Sequence, residues 1–254
     1  MDLDGDYDRH LLVRVDATGY GASNDIRQAE IQATLGDVLD EAALAAGLDR
    51  ALWHTQPAGD GELAVLPGSV RERSVVDGYT QAIASVLSRG NGRVAPGDRL
   101  RVRLAVHFGV VSIGRLGFPG QGAVEVSRMV DGAPVRLALR RTGAQLAVVL
   151  SETIYRDSVA QGHTELRPEQ LREVEIVNKE FHRRAWLHLP GHDVHEVDLR
   201  PEPGVSTQPA PEPGKAARAG TATPPGPGPQ FTQTFEGPVR AERINFGISY
   251  GSDA

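Results

Sequence analysis

An aliphatic run ends on an aspartate, turns through Gly19 and Gly21 and enters a helix start at Ser23-Asn24-Asp25. No other stretch constrains the fold as strongly. Leu11-Leu12-Val13-Arg14-Val15 is short and mostly aliphatic, which predicts a buried strand. Asp16 then falls at the strand's carboxyl end, beside the backbone N–H groups that open the next helix. A carboxylate so placed can hold a divalent metal while the loop faces phosphates, and it can equally do no more than close a strand. Residues 23–46 carry Ile31, Leu35, Val38, Leu39, Ala42 and Ala46 at helical spacing, with Ser23 as the expected N-cap and Gly47 as the stop.

Two strand-like runs within 53–67 flank Gly59-Asp60-Gly61, a hairpin signal. A second helix is expected over about 69–89. Residues 99–112 open with charged and apolar side chains in alternation, the pattern of a half-exposed strand. A glycine-rich loop (Gly114, Gly117, Gly120, Gly122) leads to a short helix at 124–130 and another at 133–141. A strand at 146–150, a helix at 152–160 and a strand pair at 173–177 and 184–189 close the domain. The order β-α-β-β-α-β with additions predicts an α+β fold, a ferredoxin-like sandwich with helices on one face of a mainly antiparallel sheet.

Between Pro201 and Gln230 lie nine prolines and five glycines, too little apolar surface for a core. Residues 191–230 are therefore expected to be a disordered linker between a domain at 8–190 and a C-terminal motif at 231–254. Ile244, Phe246, Ile248 and Tyr250 alternate with Asn245, Gly247 and Ser249, a single strand's worth of pattern that needs another strand to pair with. This segment looks like the amyloid-type signalling motifs of bacterial defence proteins, which implies a protein partner bound through residues 231–251. The alternative is that the tail adds an edge strand to its own domain.

A net charge of −6 argues against a general nucleic-acid binder. No cysteine is present, which removes disulfides and thiolate metal sites. No apolar stretch approaches a membrane span and the acidic N-terminus is not a signal peptide, so a cytoplasmic protein is expected. His182, His188, His192 and His195 gather late in the domain, yet strand alternation and a polar exit loop account for them without a metal. Arg140-Arg141 requires no more than a solvated helix end.

Asp16 and Asp60 each end or turn a strand, and paired carboxylates at adjacent strand ends are the usual protein share of a two-metal phosphoryl-transfer site. Four segments in order resemble class III nucleotidyl cyclases, most closely the actinobacterial type. They are Asp16-Ala17-Thr18-Gly19-Tyr20, Gly59-Asp60-Gly61-Glu62-Leu63, Arg103-Leu104-Ala105-Val106-His107-Phe108-Gly109 and Ser127-Arg128-Met129. The resemblance implies that Asp16, Asp60 and the Ala17 carbonyl hold Mg²⁺ or Mn²⁺. It implies that Thr18, Gly19, Tyr20 and Gly21 cradle a triphosphate, that Gln56 and Gln121 lie at the purine-reading positions, and that Arg128 stabilises the transition state. It further implies a homodimer, a purine nucleoside triphosphate as substrate, and a 3′,5′-cyclic monophosphate with pyrophosphate as products.

The family's catalytic asparagine falls at Val124, which cannot orient an attacking hydroxyl. Glu125 is rotated about 100° away on a helix. Loss of one orienting group costs roughly 2–4 kcal/mol of transition-state stabilisation. The expectation is a nucleotide-binding signalling or defence protein with weak or absent cyclase activity. The alternatives are a working cyclase and a non-catalytic module assembled through its tail.

Overall fold

The computed structural model describes residues 6–178 and 181–200. The C-terminal motif expected at 231–254 and most of the expected linker lie outside the described residues. The strands are β1 (Asp8–Ala17), β2 (His54–Ala58), β3 (Gly61–Val65), β4 (Val102–Val111), β5 (Leu146–Ser151), β6 (Arg172–Asn178) and β7 (Phe181–His188). They form one seven-stranded sheet in the order β2-β3-β1-β4-β5-β7-β6. All neighbours are antiparallel except β4 and β5. The fold is α+β, as the element order predicts.

The helices are α1 (Asp25–Ala45), α2 (Thr80–Asn91), α3 (Gln121–Val130), α4 (Ala133–Arg141) and the short α5 (Glu152–Ile154). They cover both faces of the sheet rather than one. Leu11, Val13 and Val15 of β1 pack with Ile31, Leu35 and Leu39 of α1 and Ile83 and Leu87 of α2. Leu12, Ala105 and Val149 point the other way, into Val126, Met129, Val135 and Leu139 of α3 and α4. A central strand buried on both sides needs a continuous aliphatic run, which is what β1 shows.

The alternating start of β4 is misleading for the same reason. Residues 102–107 are all buried, and Arg103 and His107 are buried as polar side chains on the α3–α4 face. The strand lies between β1 and β5, and a counter-charge on β1, not solvent, accommodates Arg103.

Helix ends also differ from the pattern. Asn24, not Ser23, caps α1, accepting from the Arg27 N–H at 2.9 Å, while the Ser23 hydroxyl donates to the Gly19 carbonyl. Gly47 ends the helix at φ 69°, in the left-handed region that glycine tolerates. Wider π-helical turns replace α-helix at Ser74–Tyr79, ahead of α2, and at Tyr155–Val159, after α5. At the first of these the Thr80 hydroxyl donates to the Val75 carbonyl, five residues back. Beyond β7 the packed region continues to Val194 and Val197, both buried against the α3–α4 side. Among the described residues no helix is long and apolar enough to cross a membrane.

Candidate functional site

Asp16 and Asp60 meet at one end of the sheet. Asp16 lies opposite Gly61 on β3 and opposite Arg103 on β4, and the Ala17 N–H donates to the Asp60 carbonyl at 2.7 Å. The glycines make this junction possible. Gly59 turns the hairpin at φ 59°, and a Cβ on Gly61 would collide with the Val15 carbonyl. Arg50 fixes the hairpin to α1. It forms a two-pronged bond to Glu62 (2.6 and 3.1 Å), a third to Asp40 (2.7 Å), and stacks over Trp53.

The loop after β1 lies beside this turn. The Gln32 amide on α1 donates both to the Tyr20 hydroxyl (3.0 Å) and to the Gly59 carbonyl (2.7 Å). The Thr18 N–H is already committed to the Arg101 carbonyl at 2.9 Å, so it is not available for a phosphate. The Gly19 N–H makes no hydrogen bond among the described residues, and Tyr20 and Gly21 enter a tight 3-10 turn, Tyr20–Ala22. Gly19, at φ 85°, is the left-handed cap that lets the chain turn from β1 into it.

The electrostatics are those of a crowded charge cluster. Asp16 is only 4% exposed and its carboxylate contacts the Arg103 guanidinium. The other Arg103 nitrogen reaches Asp131, just past α3, at 3.3 Å. Burial pulls Arg103 below the usual arginine range, with Asp131 pulling it back up. Burial raises the Asp60 carboxyl, opposed by its own backbone N–H and by Arg14. A carboxylate short of counter-charge suits a cation.

Asp16 and Asp60 supply hard oxygen donors of the type Mg²⁺ and Mn²⁺ take. Among the described residues no group of three or more His, Asp or Glu is arranged for a metal, so water or ligand oxygens would have to complete any shell. The two carboxylates fit part of a divalent cation's shell, and a cation on Asp16 would compete with Arg103.

Other residues singled out by the sequence lie apart. Arg128 on α3 packs its guanidinium 5.3 Å from the Phe181 ring on β7, three strands away from β1 in the sheet. Arg128 and Asp16 are not brought together within one chain. The Gln56 amide on the edge strand β2 lies against Gly117 in the loop before α3, where a Cβ would approach it to 2.5 Å. Gln121 is exposed at the first position of α3.

Val124 is 40% exposed on the outer side of α3. Glu125 turns instead toward His107 (3.5 Å) and Arg183 (3.6 Å). His188, His192 and His195 contact three different backbone carbonyls, those of Gln170, Pro190 and Glu169, and His182 pairs with Glu175. Asp131 and Arg14 belong to the charge cluster although neither stood out in sequence. Asp131 follows a helix end with no motif, and Arg14 reads as one polar residue in a strand.

No family model matches the sequence, and no curated protein is similar to it in sequence. Solved structures do match in fold. The adenylate/guanylate cyclase/hydrolase from Silicibacter pomeroyi superposes with a TM-score of 0.50 at 14% identity, over 73% of this chain and 99% of that one. A bacterial light-regulated adenylyl cyclase superposes at 0.51 with 10% identity, over 76% of this chain and 56% of that one. The domain has the fold of nucleotidyl cyclase domains, and at these identities the likeness concerns the fold alone.

Proposed function

We propose that this chain binds a purine nucleoside triphosphate at the β1–hairpin end of its cyclase-like domain and converts it to a cyclic monophosphate weakly or not at all. One observation carries the reading. In a fold shared with cyclases, Asp16, Asp60 and the glycine turn that follows β1 lie together at one sheet end, an arrangement suited to a metal-bound polyphosphate.

Asp16, Asp60 and the Ala17 carbonyl would hold Mg²⁺ or Mn²⁺, which when bound neutralises phosphate charge. Gly19, Tyr20 and Gly21 would donate to phosphate oxygens, and Gln56 and Gln121 would meet the base. Arg128, turned toward β7, would serve a site completed by a second copy of the chain, which is the ground for proposing a homodimer. Val124 offers no hydrogen bond at the position that would orient the ribose hydroxyl, and Glu125 is engaged elsewhere. That pair of facts favours impaired turnover over a working enzyme. In this reading the cytoplasmic nucleotide domain expected at 8–190 extends through the packed residues to Val197, the stretch from there to 230 is a tether, and 231–254 recruits a protein partner in signalling or defence.

Equilibrium binding of fluorescent ATP and GTP analogues tests the site. Wild-type protein with Mn²⁺ should bind at least one of them, and Asp60→Ala should weaken that binding at least tenfold. Equal binding by the two proteins overturns the assignment.

A further inference from the structure

Among the described residues Arg14 is a cation without a counter-charge in contact. It interrupts the aliphatic run of β1, opposite Leu63 and Ala105, two residues that belong to the core on the α3–α4 face. Its side chain therefore emerges on the same face as Asp16, about 7 Å back along the strand. Among the described residues Arg14 makes no ion pair and no side-chain hydrogen bond, and its Nε is buried without a partner. Asp60, Asp131 and Glu62 attract it only from a distance, and burial holds it below the usual arginine range.

The neighbouring cation does not relieve this. Arg103 already contacts Asp16 and Asp131, and its charge and that of Arg14 oppose each other. A half-buried guanidinium lowers stability unless something pairs with it. No carboxylate of the described chain does so, which leaves a ligand.

Resting on the nucleotide reading above, we propose that Arg14 is a phosphate-binding residue of the site, gripping the polyphosphate from the sheet side while the Gly19–Gly21 amides face it from the loop. The chemistry selects the ligand class. A planar fork suits phosphoryl oxygens, and a polyphosphate carries enough charge to satisfy Arg14 and still accept a cation held by Asp16 and Asp60. A lone carboxylate ligand does not have that capacity beside two aspartates. With a guanidinium supplying part of the neutralisation, polyphosphate binding should survive removal of divalent metal.

The test uses the full chain, inorganic tripolyphosphate and the purine nucleotides, each with Mn²⁺ and with a chelator. Wild-type protein should bind tripolyphosphate in chelator. Arg14→Met, matched to its apolar surroundings, should bind it about 10- to 100-fold more weakly, and Arg14→Lys should fall between. Ligand-free Arg14→Met should melt at or above the wild-type temperature, because an unpaired charge has been removed; a lower melting temperature would mean a structural role and overturn the proposal. Unchanged tripolyphosphate binding in Arg14→Met also overturns it. So does loss of self-association with binding intact, which would place a second copy's carboxylate on Arg14. If nucleotide binds equally to both proteins, the nucleotide reading stands and Arg14 falls. If tripolyphosphate binds through Arg14 but no nucleotide binds at all, the phosphate contact stands and the nucleotide reading falls.

Discussion

Replacing Arg103 by methionine isolates the interaction at the centre of the site. Arg103 is 8% exposed and Asp16 4%, so the substitution strands a carboxylate in the sheet while Asp131, at the surface, stays solvated. Breaking a buried pair from one side costs about 3–5 kcal/mol. For a domain of this size each kcal/mol moves the melting temperature by about 2–4 °C, which sets the expected drop at roughly 6–20 °C. The freed Asp16 should then favour a cation. Mn²⁺ at ten times its dissociation constant contributes about 1.4 kcal/mol, and it should raise the variant's melting temperature more than the wild type's, where Arg103 competes for the same carboxylate. Adding Asp16→Leu to Arg103→Met should recover most of the loss, because both charges are then gone. Differential scanning calorimetry on the three proteins, with and without Mn²⁺, gives the result directly. An Arg103→Met variant that melts within about 2 °C of wild type refutes the reasoning, as does a double variant no more stable than the single one.

Two further perturbations read other parts of the fold. Burial, reinforced by Arg9, pushes His107 down to about 4 although Glu125 lies 3.5 Å away. The unfolded chain takes up a proton near pH 6.5 and the folded one does not until near 4, so stability is present above the upper value and is lost as pH falls between them. Urea titrations should show a loss of about 2 kcal/mol from His107 between pH 7.5 and pH 5, and a response smaller by about that amount at His107→Gln would confirm the source, the remainder including His188, which burial also lowers. Arg50→Met removes the bonds from Arg50 to Glu62 and Asp40 and should cost about 2–4 kcal/mol by chemical denaturation, with nucleotide binding weakened through the displaced hairpin.

Much of the frame was legible because its signals are local. The Gly59-Asp60-Gly61 turn, the helix Ala133–Arg141 and the strand that carries Asp16 near its end follow from glycine placement and apolar period. What escaped depends on contacts between distant elements. The alternation at the start of β4 points to an exposed face, but Asp16 across the strand pair lets Arg103 be buried. The placement of α3 and α4 on the second face follows from the parallel crossover between β4 and β5, which no local pattern announces. The two π-helical turns have no signature in hydrophobic period. At the site, the aspartates and the loop were visible as residue types at strand ends. The spent Thr18 N–H, the Asp131 contact and the unpaired Arg14 were not, because each is defined by what its partner does.

The claim that a nucleotide site has lost efficient catalysis through one position is tested by installing the missing amide. Wild type, Val124→Asn and Val124→Asn/Asp60→Ala should be incubated with ATP or GTP and Mn²⁺, and cyclic product quantified by mass spectrometry. The account predicts at least tenfold more product from Val124→Asn than from wild type, and none from the double variant. Wild-type turnover equal to that of Val124→Asn would contradict it, and so would a Val124→Asn protein that binds nucleotide yet yields no more product than wild type.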